Sequence, residues 1–163
     1  MAWGDRTALD IGRSSEAFYG DPMSAIPIRP SVEEVNAFLE SNFPTGNHCE
    51  SIGDRWAVAR LDTSDIVLRP GGIISGPAVF GCCDAALYFA CFSVLGIEPM
   101  VLTSELSIRF LRPARGSELR ARAELDHAGR RSLIGTIVAW TDNADKPVAV
   151  AQGTYVAPMD GSR

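Results

Sequence analysis

Histidine and lysine are nearly missing from this sequence, which holds two of the first, His48 and His127, and one of the second, Lys146. The two imidazoles are far apart, and Cys49, Cys82, Cys83 and Cys91 make no C-x-x-C pair followed by another. No zinc ligand set is in view, and no metal is expected. A serine hydrolase is disfavoured by the same scarcity and by the lack of a G-x-S-x-G elbow. Adjacent Cys82 and Cys83 could join only under strain, so buried free thiols in a reducing cytoplasm are expected. No secretory leader is expected either, because Asp5, Arg6, Asp10, Arg13 and Glu16 interrupt residues 1–20. The formal net charge of -5 argues against a nucleic-acid partner.

One stretch is short of charge itself. Between Arg69 and Glu98 the only ionisable acid or base of full charge is Asp84, in 28 residues. That length could cross a bilayer, but a central Asp costs roughly 2.5–3.5 kcal/mol on the insertion scale. Gly, Pro and Ser also fill six of the eight positions from Pro70 to Pro77. A helix buried in a protein core is the better reading, and no membrane partner is expected. What is abundant is arginine: 14 of the 15 basic residues. Seven of them (Arg109, Arg112, Arg115, Arg120, Arg122, Arg130 and Arg131) fall within 23 residues. Such a local basic patch on an acidic chain suits a small anionic ligand.

The 163 residues, 46% hydrophobic and 21% charged, fit one domain. Residues 1–30 show no sustained period and read as a flexible N-terminal arm; residues 31–158 form the domain, and 159–163 a C-terminal tail. Ser31 with Glu34 makes a capping box ahead of Val32, Val35, Phe38 and Leu39 at helical spacing. Period two from Glu50 to Asp62 predicts a strand. Ser75 is the N-cap of a long buried helix from Gly76 to Leu95, with Pro77 in its first turn and Gly96 to end it. Four strand-like runs follow, at about 100–111, 117–127, 132–141 and 148–156. In the second, Leu119, Ala121, Ala123 and Leu125 point inward. Short turns predict a meander of these four strands. The apolar helix has nothing but that sheet to cover it. The fold class is therefore α+β: a curved antiparallel β-sheet wrapped around a long central α-helix, which is the hotdog architecture.

Asp84 is the central candidate for chemistry, because an ionised carboxylate beside Phe80, Cys83, Leu87 and Tyr88 is costly unless paired or solvated. The glycine-rich approach from Arg69 to Pro77 delivers the chain to a helix N-terminus, where free amides and the dipole favour developing negative charge. Gly76 lets a carbonyl come close to its N–H. Ser75-Gly76-Pro77 followed by Asp84-Ala85-Ala86 resembles the His-Gly-Gly…Asp pattern of the phenylacetate-type (PaaI-like) hotdog thioesterases. Leu106 to Arg115, Gly129-Arg130-Arg131 and Ala151 to Tyr155 resemble that family's later strands, so the likeness covers about residues 48–157.

The resemblance implies an acyl-CoA thioesterase, with coenzyme A as part of the substrate and no separate cofactor. Asp84 then matches the general base or nucleophile, Gly76 the amide that polarises the thioester carbonyl, and Thr103 a hydroxyl near the attacking water. Ser75 stands where the family has His, and Arg69 where it has Asn. Arg69 could donate to a carbonyl or pair with Asp84 across an interface. Pro77, Phe80 and Tyr88 are candidates for the acyl group; Arg109, Arg112, Arg130 and Arg131 for the phosphates of coenzyme A. The family's site lies between two protomers, which implies a homodimer or a dimer of dimers. The outer apolar residues of 132–141 point the same way, since one chain leaves them uncovered. The departures at Ser75 and Arg69 keep a second reading open, a hotdog protein that holds an acyl group or acyl-CoA without cleaving it. An enoyl-CoA hydratase would want a His soon after the Asp, and Ala-Ala-Leu-Tyr-Phe-Ala follows Asp84 instead.

Overall fold

A computed structural model describes residues 29–158. Most of the arm expected over 1–30 and all of the tail at 159–163 lie outside the described residues. Helix α1 (Val32–Asn42) begins as its sequence dictates: the Ser31 hydroxyl accepts from the Glu34 amide at 3.2 Å, and the Ser31 amide donates to the Glu34 carboxylate at 2.7 Å. Reciprocal caps of this kind satisfy two donors that the first turn otherwise leaves open. Strands β1 (Asn47–Gly53) and β2 (Trp56–Asp62) follow, then a single 3-10 turn at Thr63–Asp65. Next come α2 (Gly76–Leu95), β3 (Leu102–Phe110), β4 (Glu118–Ala128), β5 (Ser132–Trp140) and β6 (Ala149–Val156).

The single strand expected over Glu50–Asp62 is instead a hairpin. Asp54 and Arg55 turn the chain, with Arg55 at φ 62°. The Arg55 guanidinium repays that backbone by donating to the Leu125 carbonyl at 3.1–3.2 Å, while the Leu125 amide donates to the Arg55 carbonyl at 2.7 Å. The four-strand meander is also corrected. All strands pair antiparallel in the order β1-β2-β4-β5-β6-β3, so only β4, β5 and β6 meander and β3 lies at the far edge beside β6. The connection 111–117 explains this. It is longer than a hairpin turn, carries Pro113 and Gly116, and can cross the roughly 14 Å that three strand spacings require. On the way it is pinned by the Leu111 amide to Val148 (2.8 Å) and the Ile74 amide to Ala114 (2.9 Å).

Helix α2 fills the concave face. Val79, Cys82, Cys83, Ala86, Leu87, Phe89, Ala90, Cys91 and Phe92 are buried against Leu119, Ala121, Ala123, Leu125, Leu133, Ile137 and Ala139. The helix ends are those expected: the Ser75 hydroxyl accepts from the Ala78 amide, and Gly96 stops the helix at φ 76°. Two strand glycines let the helix come close. A Cβ at Gly135 would stand 2.7 Å from Leu87, and one at Gly153 would stand 2.9 Å from it. Among the described residues α2 alone is long and apolar enough to cross a membrane, and most of it is buried as a core helix. All four cysteines are free and buried.

Candidate active site

A polar island sits on the outer face of α2. Over two turns of that helix Gly81, Asp84, Ala85 and Tyr88 share one incompletely buried face, and Asp84 is half-buried there. The Tyr155 hydroxyl donates to Asp84 Oδ1 at 2.7 Å and lies 3.2 Å from the Asp84 backbone carbonyl; the Thr103 hydroxyl donates to the same Oδ1 at 3.1 Å. These three residues meet because of register. Thr103 of β3 pairs with Tyr155 of β6, which pairs in turn with Leu133 of β5. Two donors on one carboxylate oxygen offset much of the cost of holding a charge against an apolar helix. Oδ2 is thereby left as the oxygen available to take a proton or attack a carbonyl.

Tyr155 is a partner the sequence reading missed. Its phenol is pushed far above the ordinary value, first by burial and then by the nearby Asp84 charge, so it remains a donor. The signal was parity: inward positions of β6 read Ala149, Ala151, Gly153 and then Tyr155, one large ring after three small residues. Tyr88 stacks on Tyr155 with ring centroids 6.0 Å apart, and its own phenol, raised to about 12 by burial and then by Glu98, donates to the Pro99 carbonyl. The thiols of Cys83 and Cys91 are each raised to about 12, by burial first and the Asp84 charge second.

Asp84 opens into a cavity of about 710 Å³ between α1 and α2. Its floor is the small-residue face of α2 (Pro77, Ala78, Gly81 and Ala85), and its wall is Phe38, Leu39, Asn42 and Phe43 of the α1 end. The sequence reading assigned α1 no part in the site. Pro77, Tyr88 and Thr103 of the expected residues line this cavity, whereas Phe80 lies outside it and is 38% exposed.

The other expected residues gather elsewhere. Gly76, Arg69 and Arg112 line a second groove of about 650 Å³, with Phe110, Leu111 and Pro113. Phe110 packs beside Gly76; a Cβ there would meet its ring at 3.4 Å. The Ser75 hydroxyl sits next to this groove and is engaged in capping α2. Within one chain, then, Gly76 and Arg69 line one cavity, with Ser75 beside it, and Asp84 lines another. Arg109 is exposed on β3, towards the Gly76 end. Arg130 and Arg131 are exposed in the β4–β5 hairpin, three and two residues before Leu133, at the sheet end that carries Tyr155 and Thr103. Among the described residues, His48, Asp62 and Asp65 bring one ligand atom each within 4.8 Å of one another. Asp62 is already neutralised by Arg60 at 3.3 Å.

A half-buried carboxylate on the central helix, held by strand hydroxyls under a six-stranded curved sheet, defines a hotdog-fold protein with an acidic site. Comparison with known proteins agrees. The model of the thioesterase superfamily matches residues 71–148. A conserved protein of Pseudomonas aeruginosa is 32% identical, with a TM-score of 0.66, over 79% of this chain and 100% of that one. A Saccharolobus solfataricus protein named as a candidate esterase is 29% identical over 130 residues, 77% of this chain and 85% of the relative. The phenylacetic acid degradation protein PaaI of Thermus thermophilus, in a mutant form, shares the fold: TM-score 0.60 at 20% identity, over 75% of this chain and 99% of that one. The chain belongs to the thioesterase superfamily, and thioester hydrolysis is the general chemistry that membership supports.

Proposed function

We propose that this protein hydrolyses acyl-CoA thioesters, with Asp84 as the general base or nucleophile and the Gly76 amide of a second copy as the oxyanion donor. The observation that carries the reading is the Asp84 carboxylate, fixed through Oδ1 by Tyr155 and Thr103 and lining an acyl-sized cavity. In the base route, Oδ2 takes a proton from water as the hydroxide forms its bond to the thioester carbon. The carbonyl oxygen gathers charge against the amide at the α2 N-terminus. Collapse of that intermediate breaks the carbon–sulfur bond, and the proton passes to the thiolate of coenzyme A.

The edge of the sheet supports a second copy. Strand β3 is nine residues long and has no strand partner on its outer side among the described residues. Leu102 and Phe110 at its two ends are 59% and 54% exposed. A long open edge with exposed apolar residues calls for a partner. Antiparallel pairing of two such edges across a twofold axis brings the Phe110 end of one copy beside the Leu102 end of the other. Gly76, packed on Phe110, then approaches the partner copy's carboxylate, next to the exposed Arg130 and Arg131 that suit the phosphates of coenzyme A. A dimer of dimers would further cover Ile134 and Val138, which are 41% and 39% exposed on the outer face.

One observation favours ligand holding without turnover: the Ser75 hydroxyl is spent on its cap, so polarisation of the carbonyl rests on the Gly76 amide. Thiol release from short, medium, long and aryl acyl-CoAs separates the two. Hydrolysis is expected to fall at least about 100-fold in Asp84→Ala. No release by the wild type, with binding of the same compounds retained, would move the protein to the holding role.

A further inference from the structure

We infer that the acyl group is a medium-length chain of about eight carbons, laid along α2 beneath α1, and that Gly81 sets its permitted length. The inference rests on the thioesterase reading of Asp84 and adds to it the direction and extent of the acyl site. Direction comes from how the cavity is closed. On the C-terminal side of Asp84, Tyr88 is wedged between Tyr155 and Phe92, with ring centroids 6.0 and 4.5 Å away, and is tied to Pro99. Phe38 of α1 packs on Phe92 at 5.9 Å and shuts that end further.

On the N-terminal side nothing bulky rises from the helix: the floor reads Gly81, Ala78, Pro77, and Leu61 of β2 and Ile66 after the 3-10 turn also line the cavity. The end of α1 lines the same cavity as this floor, through Phe38, Leu39 and Asn42. Phe38 meets Phe92, and the chain beyond α1 reaches Asn47, which pairs with Leu61 of β2. From Asp84 to Pro77 is seven residues, about 10 Å of helix and the length of roughly eight extended carbons. Gly81 lies one turn from Asp84, about 4.5 Å along that path. A Cβ there would meet nothing within 4 Å. The position is thus open space that any side chain would fill, at a depth of about four carbons.

The test is the chain-length profile of thiol release from acetyl- to lauroyl-CoA for wild type, Gly81→Leu and Ile66→Ala, with melting curves to show that each variant is folded. Wild type is expected to prefer octanoyl-CoA. Gly81→Leu should cut the octanoyl-to-butyryl ratio at least tenfold. Ile66→Ala should move the optimum towards decanoyl- or lauroyl-CoA. A folded Gly81→Leu with the wild-type profile overturns the inference and leaves the thioesterase reading standing. If the wild type releases no thiol at all, that reading fails, and calorimetric titration with octanoate decides the acyl site alone. Octanoate binding weakened tenfold or more in Gly81→Leu supports the site, and equal binding refutes it.

Discussion

At the residue scale the site is one carboxylate and the two hydroxyls that hold it. Tyr155 is 3% exposed, and its phenol resists ionisation because burial and the Asp84 charge both oppose a phenolate. Its hydroxyl occupies Oδ1 and leaves Oδ2 without a hydrogen-bond donor among the described residues. Tyr155→Phe keeps the ring and removes the 2.7 Å bond. We expect kcat to fall about tenfold with KM nearly unchanged, and stability to fall by about 1 kcal/mol; steady-state kinetics and denaturant melting read the two effects. The thiols make a second residue-scale prediction. Burial raises Cys49, Cys83 and Cys91 from 9.0 to about 12, and Cys82 higher still. All four should resist iodoacetamide at pH 8 in the native protein and react once it is unfolded. The sign for stability follows from the raised values. Thiols that ionise near pH 9 unfolded but near 12 folded leave stability intact below pH 9. Above it, stability falls by up to about 1.4 kcal/mol per pH unit for each thiol, until the folded value is reached. Urea midpoints measured from about pH 8 to 11 should decline across that window, and an unchanged midpoint would contradict the burial.

At the element scale, closeness between α2 and the sheet depends on glycine in the strands, while the open face of α2 depends on glycine in the helix. The two should respond oppositely to alanine. At Gly153 a Cβ would lie 2.7 Å from Leu106, 2.9 Å from Leu87 and 2.9 Å from the Glu105 carbonyl, so Gly153→Ala should cost about 1–3 kcal/mol. At Gly81 it meets nothing within 4 Å, and Gly81→Ala should stabilise by about 0.5–1 kcal/mol through lost backbone freedom in the unfolded chain. Denaturant melting of the two variants checks both signs. The elements were legible in the sequence where the cause is local. Ser31 with Glu34, Ser75 with Pro77, and the alternation of Leu119, Ala121, Ala123 and Leu125 each predict what is found, because caps and periodicity act over a few residues. The place of β3 beside β6 was not legible, since it depends on how far residues 111–117 reach and not on the strand's own composition. The β1–β2 hairpin was missed because period two continues on both sides of Asp54 and Arg55. The site divides in the same way. Asp84 stands out as a lone charge in an apolar run, whereas Tyr155 and the α1 wall come to it only through strand register and helix packing.

At the scale of the whole molecule, one chain presents the two halves of the proposed chemistry in separate cavities. Asp84, Thr103 and Tyr155 border one, and Gly76, Arg69 and Arg112 border the other. Two copies joined along β3 would make two sites, each with a carboxylate from one chain and an amide from the other. That arrangement predicts complementation. Asp84→Ala removes the carboxylate but keeps a sound Gly76, while Gly76→Leu keeps Asp84 and crowds the amide. Each variant alone is expected to be nearly inactive as a homodimer. When both are unfolded together and refolded at equal amounts, half of the dimers are mixed. Each mixed dimer holds one site with both defects and one with neither, so recovered activity should approach about a quarter of wild type. Light scattering on the same samples should give twice the mass of the chain, or four times it. A mixture no more active than its components, in samples that scatter as dimers, would mean that the carboxylate and the amide do not meet across the interface. The Gly76 groove would then have to be assigned a function of its own.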